Sequence, residues 1–150
     1  MVGNNYIFVI SFLIMSCTTQ ADPFKWVDTI PDPWLLSEKE FEFYLPQFHE
    51  RFPNYHDRLK ALNLWRVGTP YGLFCLGEES GIDTDPLIRA DSSDCTVHVL
   101  STLAFAESFS WQNARDVMVD IHYKMDDNGE KTPTYLSRWH YTSDRLLHHD

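Results

Sequence analysis

A cysteine opening an apolar helix, an acidic residue just before it and a histidine in a later alternating stretch are the residues of this chain that could do covalent chemistry together. Asp94-Cys95-Thr96 follows the polar run Asp91-Ser92-Ser93 and leads into a segment that is apolar from Val97 to Ala106 apart from a few small polar residues and His98. A thiol there faces unpaired backbone N–H groups and the positive end of the helix dipole. That setting favours the thiolate and can bring a cysteine pKa from about 8.5 to roughly 3.5–7.5. Downstream, Arg138-Trp139-His140 lies in a strand-like stretch. His140 is therefore the candidate base for a Cys95 nucleophile. Two other readings of Cys95 stay open. A lone cysteine is commonly a small buried hydrophobe, and Cys75 is available as a disulfide partner in an oxidising compartment.

The remaining chemistry-bearing residues point to less. His98, His122, His148 and His149 have no metal-ligand spacing, and neither Cys-x-x-Cys nor His-Glu-x-x-His occurs. No metal and no cofactor is expected. Glu78-Glu79, Asp83 and Asp85 read as a solvated acidic loop. Gly72, Gly77 and Gly81 are not followed by the Lys-Ser/Thr of a phosphate loop. The chain carries 22 acidic against 12 basic residues, a net charge of -10, without a basic cluster. Nucleic acid is thereby excluded as an expected partner, and an anionic membrane surface gains no general attraction.

The elements that must position Cys95 and His140 follow from pattern. The 150 residues suit one domain. Residues 1–21 read as an export signal, with the apolar run Tyr6 to Met15 at its centre. Ile14-Met15-Ser16-Cys17 suggests lipidation of Cys17, and the alternative is simple cleavage after Ala21; lipidation is preferred. Either way the protein is expected outside the cytoplasm, in the periplasm or cell envelope. Residues 22–36, with three prolines and three aspartates, read as an extended linker or strap. The domain proper spans 37–150. Ser37 and Glu40 form a capping box for a helix carrying Phe41, Tyr44, Leu45 and Phe48. Asn54 caps a second helix, with Tyr55, Leu59, Leu62 and Trp65 on its stripe. The long loop 68–91 is of the kind that carries function or is disordered. Cys95 to Glu107 is the central helix, apolar all round and so expected to be wholly buried. Ser110 caps the next, with Ala114, Val117, Met118 and Ile121. Asp126 to Gly129 is a turn. Thr132 to Thr142 alternates as a strand, with Tyr135, Ser137, Trp139 and Tyr141 on one face and Leu136, Arg138 and His140 on the other.

Several of these motifs stand in the order of a known family. Gly68-Thr69-Pro70-Tyr71, Leu76-Gly77-Glu78, Asp85-Pro86-Leu87, Asp91 to Thr96, Trp111, Ile121-His122-Tyr123 and Arg138-Trp139-His140-Tyr141 together resemble the bacterial N-acetylmuramoyl-L-alanine amidase-like family, read as a branch of the NlpC-type papain-fold cell-wall hydrolases. The resemblance implies an α+β fold: the helical half and the first strand of an antiparallel sheet, with the rest of the sheet missing. It implies Cys95 as nucleophile, with its own N–H in the oxyanion hole, and His140 as base. By the same resemblance Tyr71 contacts the substrate peptide and Asp94 binds a free amine. Only His148, His149 or Asp150 can supply the third group that orients the imidazole. The expected substrate is an amide bond of peptidoglycan, with activity weakened by the missing strands. The alternatives are an exported lipoprotein or pseudoenzyme that only binds cell-wall peptides or a partner protein, and a disulfide-stapled exported domain.

Overall fold

The computed structural model describes residues 22–148. The export signal and Cys17 lie outside the described residues, as do His149 and Asp150, and the His148 side chain is likewise not described.

Local capping sets the helices. α1 spans Glu38–Arg51, and the Glu40 carboxylate accepts from the Ser37 N–H and hydroxyl at 2.8 and 2.7 Å. α2 spans Tyr55–Trp65, where the Asn54 side chain accepts from the N–H groups of His56 and Asp57. α3 runs Cys95–Glu107 and α4 Trp111–His122, capped by Asp94 and Ser110. Each cap satisfies an amide that the helix itself cannot. The first amide of α4 is served from afar: Trp111 N–H donates to Glu42 Oε1 of α1 at 3.0 Å. A short α5, Thr142–His148, ends the described chain.

Rings fill the space between α1, α2, α3 and α4. Phe41 is fully buried and touches Trp65, Phe105 and Trp111 at centroid distances of 5.5, 5.0 and 4.8 Å. Residues 22–36 form two 3-10 helices, Pro23–Thr29 and Pro33–Leu35, laid over this core. Trp26 meets Phe48 at 4.9 Å, and Pro31 O accepts from Trp65 Nε1 at 2.8 Å. Arg58, itself buried, donates to Ala106 O and Phe52 O, tying down the carbonyl ends of α3 and α1.

The expected α+β fold, with a papain-like sheet begun by the His140 strand, is not what the chain forms. The described residues contain no strand, and their β pairing is limited to three isolated bridges: Tyr71 with Ser93, Ser80 with Asp83, and Tyr123 with Arg138. Residues 132–141 turn instead. Ser137 Oγ donates to the carbonyls of Thr132 and Thr134, and the N–H groups of Ser137 and Arg138 both reach Thr134 O. Ser and Thr side chains thus offer the backbone a local alternative to a ladder, and no neighbouring strand competes for these amides. Tyr135 and His140, predicted on opposite faces, are in contact. From Thr142 the chain is helical.

The central helix is also not sealed all round. Val97, Leu100, Ala104 and Phe105 face the core, but Cys95 is exposed and Val99 is 55% exposed. Cys95, Val99 and Leu103 recur at helical spacing, so α3 keeps one apolar stripe open.

Candidate functional site

Cys95 occupies the first position of α3, and the residues around it are held from both sides. Asp94 Oδ1 accepts from Val97 N–H at 2.8 Å, and Oδ2 accepts from Phe74 N–H at 3.2 Å. One carboxylate therefore caps the helix and anchors the 70–75 loop beside it. The same loop is bridged to the residue before Asp94: Gly72 N–H donates to Ser93 O and Ser93 N–H to Pro70 O. Phe74 is held at φ 52°, an uncommon conformation for a bulky residue. Strain of this kind persists where surrounding contacts over-determine the backbone. Cys75 is buried, its thiol donating to Gly72 O at 3.4 Å, and both Cys75 and Cys95 are free thiols.

The acidic loop is not the solvated one expected. Arg138 gathers Glu78 and Asp83: Nε donates to Glu78 Oε1 at 2.7 Å and an Nη to Asp83 Oδ2 at 2.9 Å. Glu78 is buried. Arg115 holds both oxygens of Glu79, whose carboxyl is thereby kept below its usual pKa. Gly77 makes the loop possible. A Cβ there would fall 2.5 Å from Asp83 Oδ1 and 2.6 Å from Asp85 O, closer than any side chain is accommodated without movement. Tyr123 OH donates to Gly77 O at 2.9 Å, joining the loop to the end of α4.

His122 and Arg145 complete this side of the molecule. His122 closes α4 and is 3% exposed. Burial, then the charges of Arg145, Arg138 and His140, push its pKa down to about 3, so it is a neutral imidazole at ordinary pH. Its Nδ1 accepts from Arg145 Nε at 3.3 Å. Arg145, buried in turn, donates through Nη2 to Trp139 O at 2.5 Å.

Two grooves meet here. One, about 420 Å³, is apolar and runs along the open stripe of α3 from Cys95 past Val99 and Leu103 to Ile121 and Leu146. The other, about 370 Å³, is polar and is lined by Asp94, His122, Arg138 and His140 among others. Thr96 and Arg145 border both. The predicted residues are therefore divided. Asp94 and His140 share the polar groove, and Cys95 opens on the apolar groove beyond the shared wall. His140 Nε2 lies 2.9 Å from Tyr135 O. Tyr71 is exposed and paired with Ser93, two residues before Cys95 in sequence, and it lines neither groove. Among the described residues no group of three or more His, Cys, Asp or Glu side chains is placed to hold a metal.

Three participants were not assigned a role from the sequence: Arg138 as the partner of the acidic loop, buried His122, and Arg145. The stretches Ile121-His122-Tyr123 and Arg138-Trp139-His140-Tyr141 did stand among the motifs. Nothing in the spacing of 60 residues between Glu78 and Arg138 marks them as a pair.

Comparison with known proteins adds an independent line. A family model described as N-acetylmuramoyl-L-alanine amidase-like matches residues 63–149. The match covers both grooves and the loop that carries Tyr71. The fold is similar to the crystal structure of a Legionella pneumophila protein of the DUF1460 family, at 26% sequence identity and a TM-score of 0.57, over 70% of this chain. The chain spans 33% of the length of that protein. No curated protein matches the chain.

Proposed function

The chain belongs to the N-acetylmuramoyl-L-alanine amidase-like family, and we propose that it is a cysteine-dependent hydrolase of an amide bond in peptidoglycan. The observation that carries this reading is Cys95: a free, exposed thiol at the first position of a helix whose tip is pinned by Asp94. The chemistry follows from that position. The Cys95 thiolate attacks the amide carbon. The carbonyl oxygen gains the negative charge, and the Cys95 N–H at the helix tip donates to it. His140, having taken the thiol proton, returns it to the departing amine as the C–N bond breaks. Water then attacks the thioester and regenerates the thiol. His140 and Cys95 border adjoining grooves, so the imidazole must leave Tyr135 O to reach the thiol. Asp94 spends its carboxylate on two backbone amides, which supports a positioning role rather than capture of a free amine.

The finer assignments are part of the same proposal. The protein acts outside the cytoplasm, with Cys17 carrying the lipid. Tyr71 lies on the approach by which a peptide reaches Cys95. His148, His149 or Asp150 orients His140. The rival reading is a non-catalytic lipoprotein that only binds cell-wall peptides, and the present hydrogen bond of His140 favours it.

Purified peptidoglycan distinguishes the two. Incubation with the wild-type chain should release new amino groups and soluble fragments detectable by mass spectrometry, and Cys95→Ala should abolish the release. Co-sedimentation of both proteins with intact peptidoglycan, without release by either, would establish the binding protein instead.

A further inference from the structure

The apolar groove beside Cys95 contains one charged residue, Arg145, and among the described residues it has no counter-ion. Arg89, Arg115 and Arg138 each form a salt bridge with a carboxylate. Arg58 and Arg66 are buried without one among the described residues, bonded to carbonyl and hydroxyl oxygens inside the helical body. Arg145 differs from them in lining both grooves. It too forms no salt bridge among the described residues, although only 9% of it is exposed. Its hydrogen bonds go to neutral acceptors: the His122 ring through Nε and the Trp139 carbonyl through Nη2. Neither removes its charge, and Asp144 acts on it only through its field. Nη1 makes no hydrogen bond among the described residues. A buried cation without a paired anion is unfavourable, because burial strips its hydration and only a counter-ion restores that loss. A planar guanidinium with one edge spent on fixed neutral acceptors and another free is preorganised for a carboxylate.

The rest of the groove describes the remainder of the ligand. Val99, Leu103, Ile121 and Leu146 make its walls apolar. Its volume of about 420 Å³ falls within the range of small-ligand pockets, about 300–1,000 Å³. We propose that Arg145 is the carboxylate-recognition residue of this groove, which takes a peptide of small apolar side chains with its free terminal carboxylate on Arg145 and its chain running past Cys95. That the ligand is a peptide rests on the amidase reading; that it carries a carboxylate rests on Arg145 alone.

Binding is measured on the full chain carrying Cys95→Ala, so that turnover plays no part. The probes are acetyl-Ala-Ala-Ala with a free C-terminal carboxylate and the same peptide as its carboxamide, compared by calorimetry. The acid should bind at least tenfold more tightly than the amide. Arg145→Gln should erase that preference, and Arg145→Lys should retain part of it. Val99→Trp, at a wall position that is 55% exposed, should block the acid, with circular dichroism checking that the variant is folded; this arm holds even if Arg145→Gln fails to fold. Equal binding of acid and amide, a preference that survives Arg145→Gln, or full binding to Val99→Trp would each overturn the proposal. Octanoate binding more tightly than the tripeptide acid would overturn the peptide assignment. The two readings fail separately. Acid preference in a chain that hydrolyses nothing would retire the amidase and keep the site. Hydrolysis by wild type with no acid preference would do the reverse.

Discussion

Phe41 and Arg138 each sit at the centre of a cluster, one of rings and the other of carboxylates. Around Phe41 the contacts are Trp65, Phe105 and Trp111, drawn from three further points of the helical body. Around Arg138 they are Glu78 and Asp83, with Tyr123 on Gly77 and Arg145 on His122 close by. Ring packing is non-directional, spread over many atoms and indifferent to pH. The charged cluster depends on a few bonds of fixed geometry and on the protonation state of each partner. Both grooves are bordered on one side by α3, which the rings hold, and on the other by residues 135–146, which the charges hold. The lesson is that the proposed nucleophile stands on the rigid region and its candidate base on the conditional one.

The comparison is broken most severely at the rings. Phe41→Ala should lower stability by about 3–5 kcal/mol, the usual range for a fully buried phenylalanine. Urea unfolding followed by tryptophan fluorescence and by circular dichroism should show both signals shifting together. Retention of the wild-type midpoint would mean the helices do not depend on this cluster.

Arg138→Met should cost less, about 1.5–3 kcal/mol, as for charge-assisted hydrogen bonds, and in a different place. Glu78 is left buried without its cation. Amide exchange should accelerate in 76–86 and 122–140 while α1 and α2 keep their protection. Uniform loss of protection would show that the two regions are one cooperative unit.

The smallest effect sharpens the contrast in pH. His122 titrates near 6.5 in the unfolded chain and only at about 3 in the fold. Between those values the unfolded state binds more protons, so stability is full above pH 6.5 and is lost as pH falls. The loss should reach about 2 kcal/mol by pH 5. Partly buried His49 and His98 are lowered as well and act in the same direction. His122→Asn, which keeps an acceptor near the Nδ1 position, should remove most of this acid limb from urea midpoints taken at pH 7 and pH 5. An unchanged limb would place the proton uptake on the other histidines.

Features governed by nearest neighbours were legible in the sequence. Ser37, Asn54 and Ser110 announce three of the four long helices because a cap is read within three residues. The capping of α3 by Asp94, expected instead to bind a free amine, came only with the structure. Cys95 could be placed at a helix tip because a polar run gives way to an apolar segment there. What failed was non-local. The alternation of 132–142 is a strand pattern only if a partner strand lies alongside, and here Thr134 and Ser137 close a turn first. The open stripe of α3 was hidden because an apolar sequence does not say which of its faces finds a neighbour. Arg138 reads as an ordinary surface charge until Glu78 and Asp83 arrive beside it. The acidic loop looked solvated for the mirror-image reason.

The bond from Trp111 N–H to Glu42 across 69 residues has a consequence for the order of folding. Ser110 serves one amide in the first turn of α4 from next door, and α1 serves another. As a free peptide, α4 would begin with an amide open to water and would fray there. During folding its first turn gains that carboxylate only when α1 docks, after the loop between them has closed and its entropy has been lost. Consolidation of the α4 start should therefore be a late event, with substitutions at Glu42 accelerating unfolding while leaving the folding rate nearly unchanged.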